Sequence, residues 1–264
     1  MTTTAKTSEL VIDISEQICT LTLQRPQLAN ALNFDLLEAL RHTLGELRCS
    51  GDFRVCILTG AGEKAFCAGA DLKERATLPP EQVRRFIATI REVTDRLADF
   101  PKPVIAAING LALGGGTELA LACDIRIAAD TALLGLTETS LGIIPGGGGT
   151  QRLPRLVGKG RAKELIFTAR RIAAAEAAEI GLIEKVVPSA ELAQQSRQLA
   201  RNIAQNAPLA LEMAKWAINY GYETDLLTGL QLESRAYDVI IPTKDRLEGL
   251  AAFQQKRKPI YRGE

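Results

Sequence analysis

Two glycine-bent loops, each following a short apolar run, hold the residues whose spacing can support chemistry. The loops are Phe66–Asp71 and Gly110–Glu118. The runs before them, Val55–Leu58 and Val104–Ile108, predict buried strands, so each loop turns at a sheet edge where its amides can face a ligand. One glycine-rich turn alone usually reflects chain geometry. Two such turns can aim two N–H groups at one oxygen, as an oxyanion hole requires.

Two carboxylates follow these loops. Glu118 lies in an almost wholly apolar stretch, Thr117–Cys123, so we expect it to be buried. Burying a carboxylate costs free energy, so such a residue usually has hydrogen-bonding partners or a chemical function. The alternative is a structural role, because a glutamate near the start of a helix interacts favourably with the helix dipole. Glu138 is flanked by threonines, and a short polar run of that kind is typical of a solvated loop. Beside two amide-bearing loops, the pair favours acid–base chemistry.

Other candidate sites are weaker. The run Pro145–Thr150 suggests a phosphate loop but lacks its Gly-Lys-Ser/Thr ending, and Gly110–Gly116 lacks the spacing of a dinucleotide fingerprint. Asp71 can either cap the following helical turn or touch a ligand, and the cap is favoured. A single histidine, His42, excludes histidine-rich metal sites and makes a Ser-His triad improbable.

Composition narrows the class of protein. With 264 residues, 46% of them apolar, the chain can bury a full core, and a net charge of +1 supplies no overall field for nucleic acid or anionic membranes. No apolar run is long enough to span a bilayer, and we expect a short disordered tail before Leu10. The five cysteines, without CxxC spacing, predict reduced, buried thiols in a cytoplasmic protein with no metal site.

Strand, loop and helix repeat along the chain. A hairpin is expected over Leu10–Leu23 with its turn at Glu16-Gln17, followed by a helix capped by Asn33 and another from Pro80 to Phe100. The last strand is expected within Leu182–Pro188. Beyond Gln151 the apolar residues recur almost entirely with helical spacing. The predicted helical segments are Arg161–Ala169, Ala173–Ile180, Glu191–Asn206, Leu209–Tyr220, Asp225–Val239 and Thr243–Gln255. We therefore predict a core of residues 1–188 and a helical region of residues 189–264.

Several segments together resemble the crotonase (enoyl-CoA hydratase) superfamily over nearly the whole chain. They are Phe66–Asp71, Asn109–Glu118, Asp124–Arg126 and Ile144–Arg152. Within it, further segments are most similar to the methylglutaconyl-CoA hydratase branch, also described as AU-rich-RNA-binding enoyl-CoA hydratases. These segments are Gly69–Ala76, Ala162–Phe167 and Ile241–Leu250.

The resemblance implies an α/β fold, a spiral of repeated ββα units with a C-terminal helical region that forms trimers or dimers of trimers. It implies that the amides of Ala70 and Gly115 hold the thioester oxygen of an acyl-CoA. Coenzyme A is then part of the substrate, with no separate cofactor and no metal. The residues expected to contact it are Ala68, Asp71, Leu72, Lys73, Gly114 and Lys256.

Both family glutamates are present, and this favours a hydratase over an isomerase, since resembling isomerases generally keep only the second. We expect Glu118 to activate water and Glu138 to deliver a proton to C2. The sequence does not decide between two acyl groups of the substrate, a short-chain enoyl group and the 3-methylglutaconyl group. RNA binding is the alternative from another class, but Asn33–Arg48 mixes acidic and basic residues, so we expect it to be weak.

Overall fold

The computed structural model describes residues 3–6 and 9–264, with side chains from residue 9 onward. Its strands are β1 Thr3–Lys6, β2 Leu10–Ser15, β3 Ile18–Leu23, β4 Val55–Gly60, β5 Ala65–Cys67, β6 Val104–Ile108, β7 Leu111–Leu113, β8 Ile125–Ala129, β9 Leu133–Gly135, β10 Ile172–Ala173 and β11 Lys185–Val187. Its α-helices are α1 Phe34–Leu47, α2 Leu72–Ala76, α3 Pro80–Ala98, α4 Gly115–Ala122, α5 Gly149–Val157, α6 Lys159–Thr168, α7 Ala174–Glu179, α8 Leu192–Ala204, α9 Pro208–Tyr222, α10 Leu226–Ile240 and α11 Lys244–Gln254.

Each repeat places one strand in each of two sheets. The larger sheet has the order β1-β2-β3-β4-β6-β8-β11 and the smaller one β10-β9-β7-β5. Thus β4, β6 and β8 lie in the first sheet, and β5, β7 and β9, which follow them directly, lie in the second. Helices α3 and α4 connect successive strand pairs. This confirms the expected spiral of ββα units, although strands β5 and β7 of the smaller sheet overlap the two segments that were predicted as loops.

The N-terminal hairpin forms as predicted. Glu16 and Gln17 both have left-handed backbone, with φ of 54° and 62°, which suits the two-residue turn between β2 and β3. The expected disordered tail is wrong for residues 3–6, because β1 pairs antiparallel with β2. The rest of that expected tail before Glu9 lies outside the described residues.

The core lies between the larger sheet and its helices. Strand β6 is buried along its whole length, as expected for a parallel strand covered on both faces.

Asn33 caps α1 by accepting a hydrogen bond from the Leu36 amide at 3.0 Å, as predicted. His42 is exposed. The expectation of buried thiols is wrong for Cys49, which lies in the exposed turn that follows α1.

The C-terminal helices pack in two different ways. Helix α8 packs against β3, β4, β6 and β8, whereas α9 and α10 pack mainly against each other. The boundary between residues 188 and 189 stays a prediction. Within the described part of the chain, no helix is both long and apolar enough to cross a membrane.

Candidate active site

The two glycine-bent loops lie side by side. Gly69 has a φ of +91°, and a Cβ built on it would lie 2.7 Å from the Leu113 carbonyl oxygen and 3.3 Å from the Gly115 nitrogen. A Cβ on Gly116 would lie only 1.9 Å from the Cys67 carbonyl oxygen. Only glycine permits this approach of one main chain to the other. The sequence therefore brings the ends of β5 and β7 together, as the loop pattern predicted.

The amides of Ala70 and Gly115 are both free at this junction. Leu32 binds the residues on either side of Ala70, donating to the Gly69 carbonyl at 2.8 Å and accepting from the Asp71 amide at 2.7 Å. The N–H of Ala70 itself therefore points away from Leu32. Gly115 opens α4, where an N–H has no intrahelical acceptor. Neither amide donates to another group among residues 9–264.

Glu118 lies in α4, a helix whose residues are all buried. It is 2% exposed, and its Oε1 accepts hydrogen bonds from the amides of Gly147 at 2.7 Å and Gly149 at 2.8 Å. These bonds offset part of the free-energy penalty of burying a carboxylate. The burial predicted from its apolar neighbours is confirmed.

The four-glycine run is shaped by that carboxylate. A Cβ on Gly147 would lie 2.8 Å from Glu118 Oε2, and one on Gly149 would lie 3.1 Å from Oε1. Gly148 has a φ of +105°, which favours glycine for conformational reasons. The run thus forms a main-chain cradle for a glutamate, not a phosphate loop.

Glu138 opens the short 3-10 helix Glu138–Leu141 and is also buried, at 8% exposure. A Cβ built on Gly114 would lie 3.1 Å from its Oε1, so the second carboxylate reaches the loop that carries Gly115. Its Oε2 has no hydrogen-bond partner within the described residues. The solvated loop that its threonine neighbours suggest is not observed, because Glu138 packs against the β7 loop.

The two carboxyl groups titrate in different ways. Burial raises the pKa of Glu138 to about 7, and the charge of Glu118 contributes further to this increase. Burial also raises the pKa of Glu118, but the two amides that bind it oppose that increase. Burial and the neighbouring charge therefore favour the protonated form of Glu138 near neutral pH, whereas the amides of Gly147 and Gly149 favour the ionised form of Glu118.

A profile of the enoyl-CoA hydratase/isomerase family matches residues 13–264. The chain belongs to this family. It is 49% identical to human mitochondrial methylglutaconyl-CoA hydratase over 251 residues, covering 94% of this chain and 74% of that protein. It is 45% identical to the short-chain-enoyl-CoA hydratase of Clostridium acetobutylicum over 251 residues, covering 95% and 96% of the two chains.

Solved structures agree with the fold. The crystal structure of an enoyl-CoA hydratase from Bacillus anthracis superimposes with a TM-score of 0.96 at 56% sequence identity, covering 97% of this chain and 100% of that one. Together with the ββα spiral, this likeness confirms the crotonase fold and the superfamily resemblance found in the sequence.

Most of the family-site residues expected from the sequence line one cavity of about 330 Å³. Those found in its wall are Ala68, Ala70, Leu72, Gly114, Gly115, Glu118 and Glu138. Asp71, Lys73 and Lys256 do not line it. Asp71 instead caps α2 by accepting from the Lys73 and Glu74 amides, while both lysines are exposed to solvent.

Two arginines near the site had no role predicted for them from the sequence. Arg25 is 7% exposed and forms ion pairs with Glu9 at 3.0 Å and Asp71 at 3.1 Å, beside the loop of Ala70. Arg75 lines the cavity and makes no ion pair within residues 9–264. Its charge lowers the pKa of Glu138, against the larger effect of burial. Both roles depend on contacts that local sequence does not encode.

Proposed function

We propose that this family member adds water across the C2–C3 double bond of an enoyl-CoA thioester. The main support for this proposal is that two free, adjacent amides and two buried carboxylates line the same cavity. The amides of Ala70 and Gly115 would bind the thioester oxygen. As water attacks C3, charge moves onto that oxygen, and rigid donors stabilise it as an enolate. The N-terminus of α4 adds its positive end there.

The carboxylates divide the proton transfers. Glu118, ionised and bound by two amides, takes a proton from water as the oxygen bonds to C3. Glu138 has its pKa raised to about 7 by burial, which favours the protonated form that delivers a proton to C2. The enolate then collapses to the 3-hydroxyacyl thioester. No separate cofactor enters this scheme.

A hydratase is proposed over an isomerase because both carboxylates face the cavity. An isomerase moves a proton within the acyl chain and needs one such base. The test incubates the protein with a 2-enoyl-CoA and, separately, a 3-enoyl-CoA. Formation of 3-hydroxyacyl-CoA from the first supports the proposal. Conversion of the second to a 2-enoyl thioester, without any hydration, would establish the isomerase instead.

For the acyl group we favour a chain that ends in a carboxylate, such as 3-methylglutaconyl. Arg75 supports this choice, since it is a cation in the cavity wall, lacks an ion-pair partner within residues 9–264, and acts electrostatically on Glu138. Arg75→Gln should lower kcat/KM for 3-methylglutaconyl-CoA more than for crotonyl-CoA. The matched control is Arg84→Gln, on the exposed face of α3. Equal losses for both substrates would refute the assignment.

The nucleotide part of CoA is too large for this cavity and would extend along the surface. Lys73 and Lys256 remain candidates for its phosphates, since both are exposed. Ala68 lines the cavity on the same loop as Ala70 and is our candidate for the adenine contact.

RNA binding is proposed only as a weak, non-specific property. On α1, Arg41 pairs with Glu38 at 2.7 Å, and Arg48, which follows that helix, pairs with Asp99 at 3.0 Å. These two cations are already partnered, so this segment offers few free positive charges to phosphates. Titration of a labelled AU-rich oligonucleotide beside an unrelated one tests this. Selective submicromolar binding near physiological salt would make RNA recognition a second activity.

The partner we propose is the chain itself, as a homotrimer or a dimer of trimers. A groove of about 880 Å³ between α9 and α10 is lined mainly by apolar side chains. Ile218, Leu226 and Tyr237 lie on it with more than half of their surface exposed. Exposed apolar patches of this kind mark interaction sites, and the family resemblance supplies the stoichiometry.

A further inference from the structure

Two side chains from different helices converge on the carbonyl oxygen of Gly147. Thr94 of α3 donates to it from Oγ1 at 2.7 Å, and Arg152 of α5 donates from Nη1 at 2.8 Å. The amide of the same glycine donates to Oε1 of Glu118 at 2.7 Å. Gly147 is therefore fixed on both sides of its Cα, with Glu118 bound on one side and two donors on the other.

The guanidinium of Arg152 is itself fixed in place. Its Nη2 donates to Asp95 Oδ1 at 2.6 Å. A Cβ built on Gly148 would lie 2.1 Å from Arg152 Nη1, so the glycine run leaves the space that this side chain occupies. Only 21% of the Arg152 side chain is exposed, which limits screening of its charge by water.

Charged groups face Glu118 from three elements. Arg91 comes from α3, Arg152 comes from α5, and Glu138 comes from the 3-10 helix. Burial raises the pKa of Glu118, whereas its amide bonds and then the charges of Arg152 and Arg91 lower it. Asp95 binds both arginines, at 2.6 Å and 2.9 Å, and so partly neutralises them.

We propose that Arg152 is a positioning residue, which holds the Gly147 peptide against Glu118 and supplies the positive charge that favours the ionised carboxylate. Arg152 does not line the cavity and acts on the reaction through Glu118. Thr94 also holds the Gly147 peptide in place, but it carries no charge. The inference rests on the proposed hydration, in which Glu118 is the base.

The test measures kcat/KM for hydration against pH. We expect Arg152→Gln to lower the maximal kcat/KM about tenfold to a hundredfold, as misplacement of a reacting group does. The same variant should move the acidic limb of the pH profile to higher pH. Arg152→Lys keeps the charge, so the limb should stay near its wild-type position although the maximum falls. Thr94→Val should lower the maximum without moving the limb. The control Arg155→Gln, one turn further along α5 and paired with exposed Glu223, should match wild type.

Two outcomes are distinguishable. If the wild-type protein hydrates no enoyl-CoA, the proposed function fails. If it does hydrate and Arg152→Gln leaves the acidic limb in place, or Thr94→Val and Arg152→Lys match wild type, the positioning role of Arg152 is overturned. Should Arg152→Gln not fold, Asp95→Asn replaces it. Removing that anion should move the limb to lower pH, and an unmoved limb would again overturn the proposal.

Discussion

Gly147 donates its amide hydrogen to Glu118 Oε1 at 2.7 Å, so the carboxylate proposed as the base is held by main chain from a distant loop. A second amide, from Gly149, reaches the same oxygen at 2.8 Å. One carboxylate oxygen is thereby fixed, and Oε2 makes no hydrogen bond with another residue in the described range 9–264. That oxygen is the one available to a water in the cavity. The glycine run and the proposed proton transfer are thus linked through one contact.

Glutamine at either carboxylate should remove most turnover while leaving ligand binding intact. Glu118→Gln and Glu138→Gln each remove one proton-transfer group, and such groups contribute roughly 10²- to 10⁴-fold. Binding of an unreactive saturated acyl-CoA, measured by calorimetry, should change little because the thioester contacts are main-chain amides. A variant that hydrates at nearly the wild-type rate would disprove the two-carboxylate mechanism.

Glu138→Gln should also stabilise the fold, increasingly so at higher pH. The pKa of Glu138 in the folded protein, about 7, lies above its ordinary value of 4.5 because of burial and the Glu118 charge. The carboxyl therefore contributes full stability below pH 4.5, and that contribution is lost as pH rises through about 7. Glutamine stays neutral throughout, so its advantage should grow by about 2–3 kcal/mol between about pH 5 and about pH 8.

Urea unfolding at about pH 5 and about pH 8 measures this difference. The matched control is Glu179→Gln, at an exposed position of α7. Its difference from wild type should not grow between the two pH values. If Glu138→Gln shows no growth either, Glu138 is not held in a site that penalises its charge.

Much of the first glycine loop and of the α4 site could be predicted from local sequence. The apolar neighbours of Glu118 indicated its burial, and Asp71 caps α2 as its position before Leu72 predicted. Local sequence could not indicate that Glu138 is buried, because its flanking threonines are polar and its burial comes from contact with the Gly114 loop. It was a candidate because it follows the two glycine loops and because the family resemblance includes it, and no local signal indicated its burial.

Strands β5 and β7 and the contacts around Gly147 could not be predicted from such patterns. Strand β5 is three residues long, too short to show a period of two. Arg152 and Thr94 lie on different helices and meet only at a carbonyl oxygen. Main-chain acceptors leave no trace in residue type, so no sequence signal predicts that convergence.

Ala70→Pro should lower turnover on the order of 10²-fold or more, because it deletes one donor of the proposed oxyanion hole. The Ala70 N–H bonds to no other residue in the described range 9–264, so no protein hydrogen bond is lost. Circular dichroism must first show that the variant is folded. Ala70→Gly keeps the N–H and serves as the control. A folded, fully active proline variant would remove Ala70 from the oxyanion hole.

Gly147→Ala should reduce activity severely, since its Cβ would lie 2.8 Å from Glu118 Oε2 and 2.9 Å from Ile90 Cγ2. The carboxylate must move to accommodate it, and a displaced base loses its alignment with water. Gly160→Ala is the matched control, because a Cβ there meets nothing within 4 Å. Steady-state kinetics compares the two. Equal activity in both variants would contradict a cradle that fixes Glu118.

The apolar groove between α9 and α10 should be covered by other copies of the chain. Leu230 is 49% exposed and Tyr237 is 63% exposed on the groove side of α10. Burying such side chains contributes about 1.5–3 kcal/mol each, so Leu230→Glu and Tyr237→Glu should dissociate the assembly. Gln231→Glu adds the same charge on α10 outside the groove and should not. Light scattering should give three or six chains for wild type and for the control. A wild-type protein that is monomeric at micromolar concentration and still active would show that the groove serves another purpose.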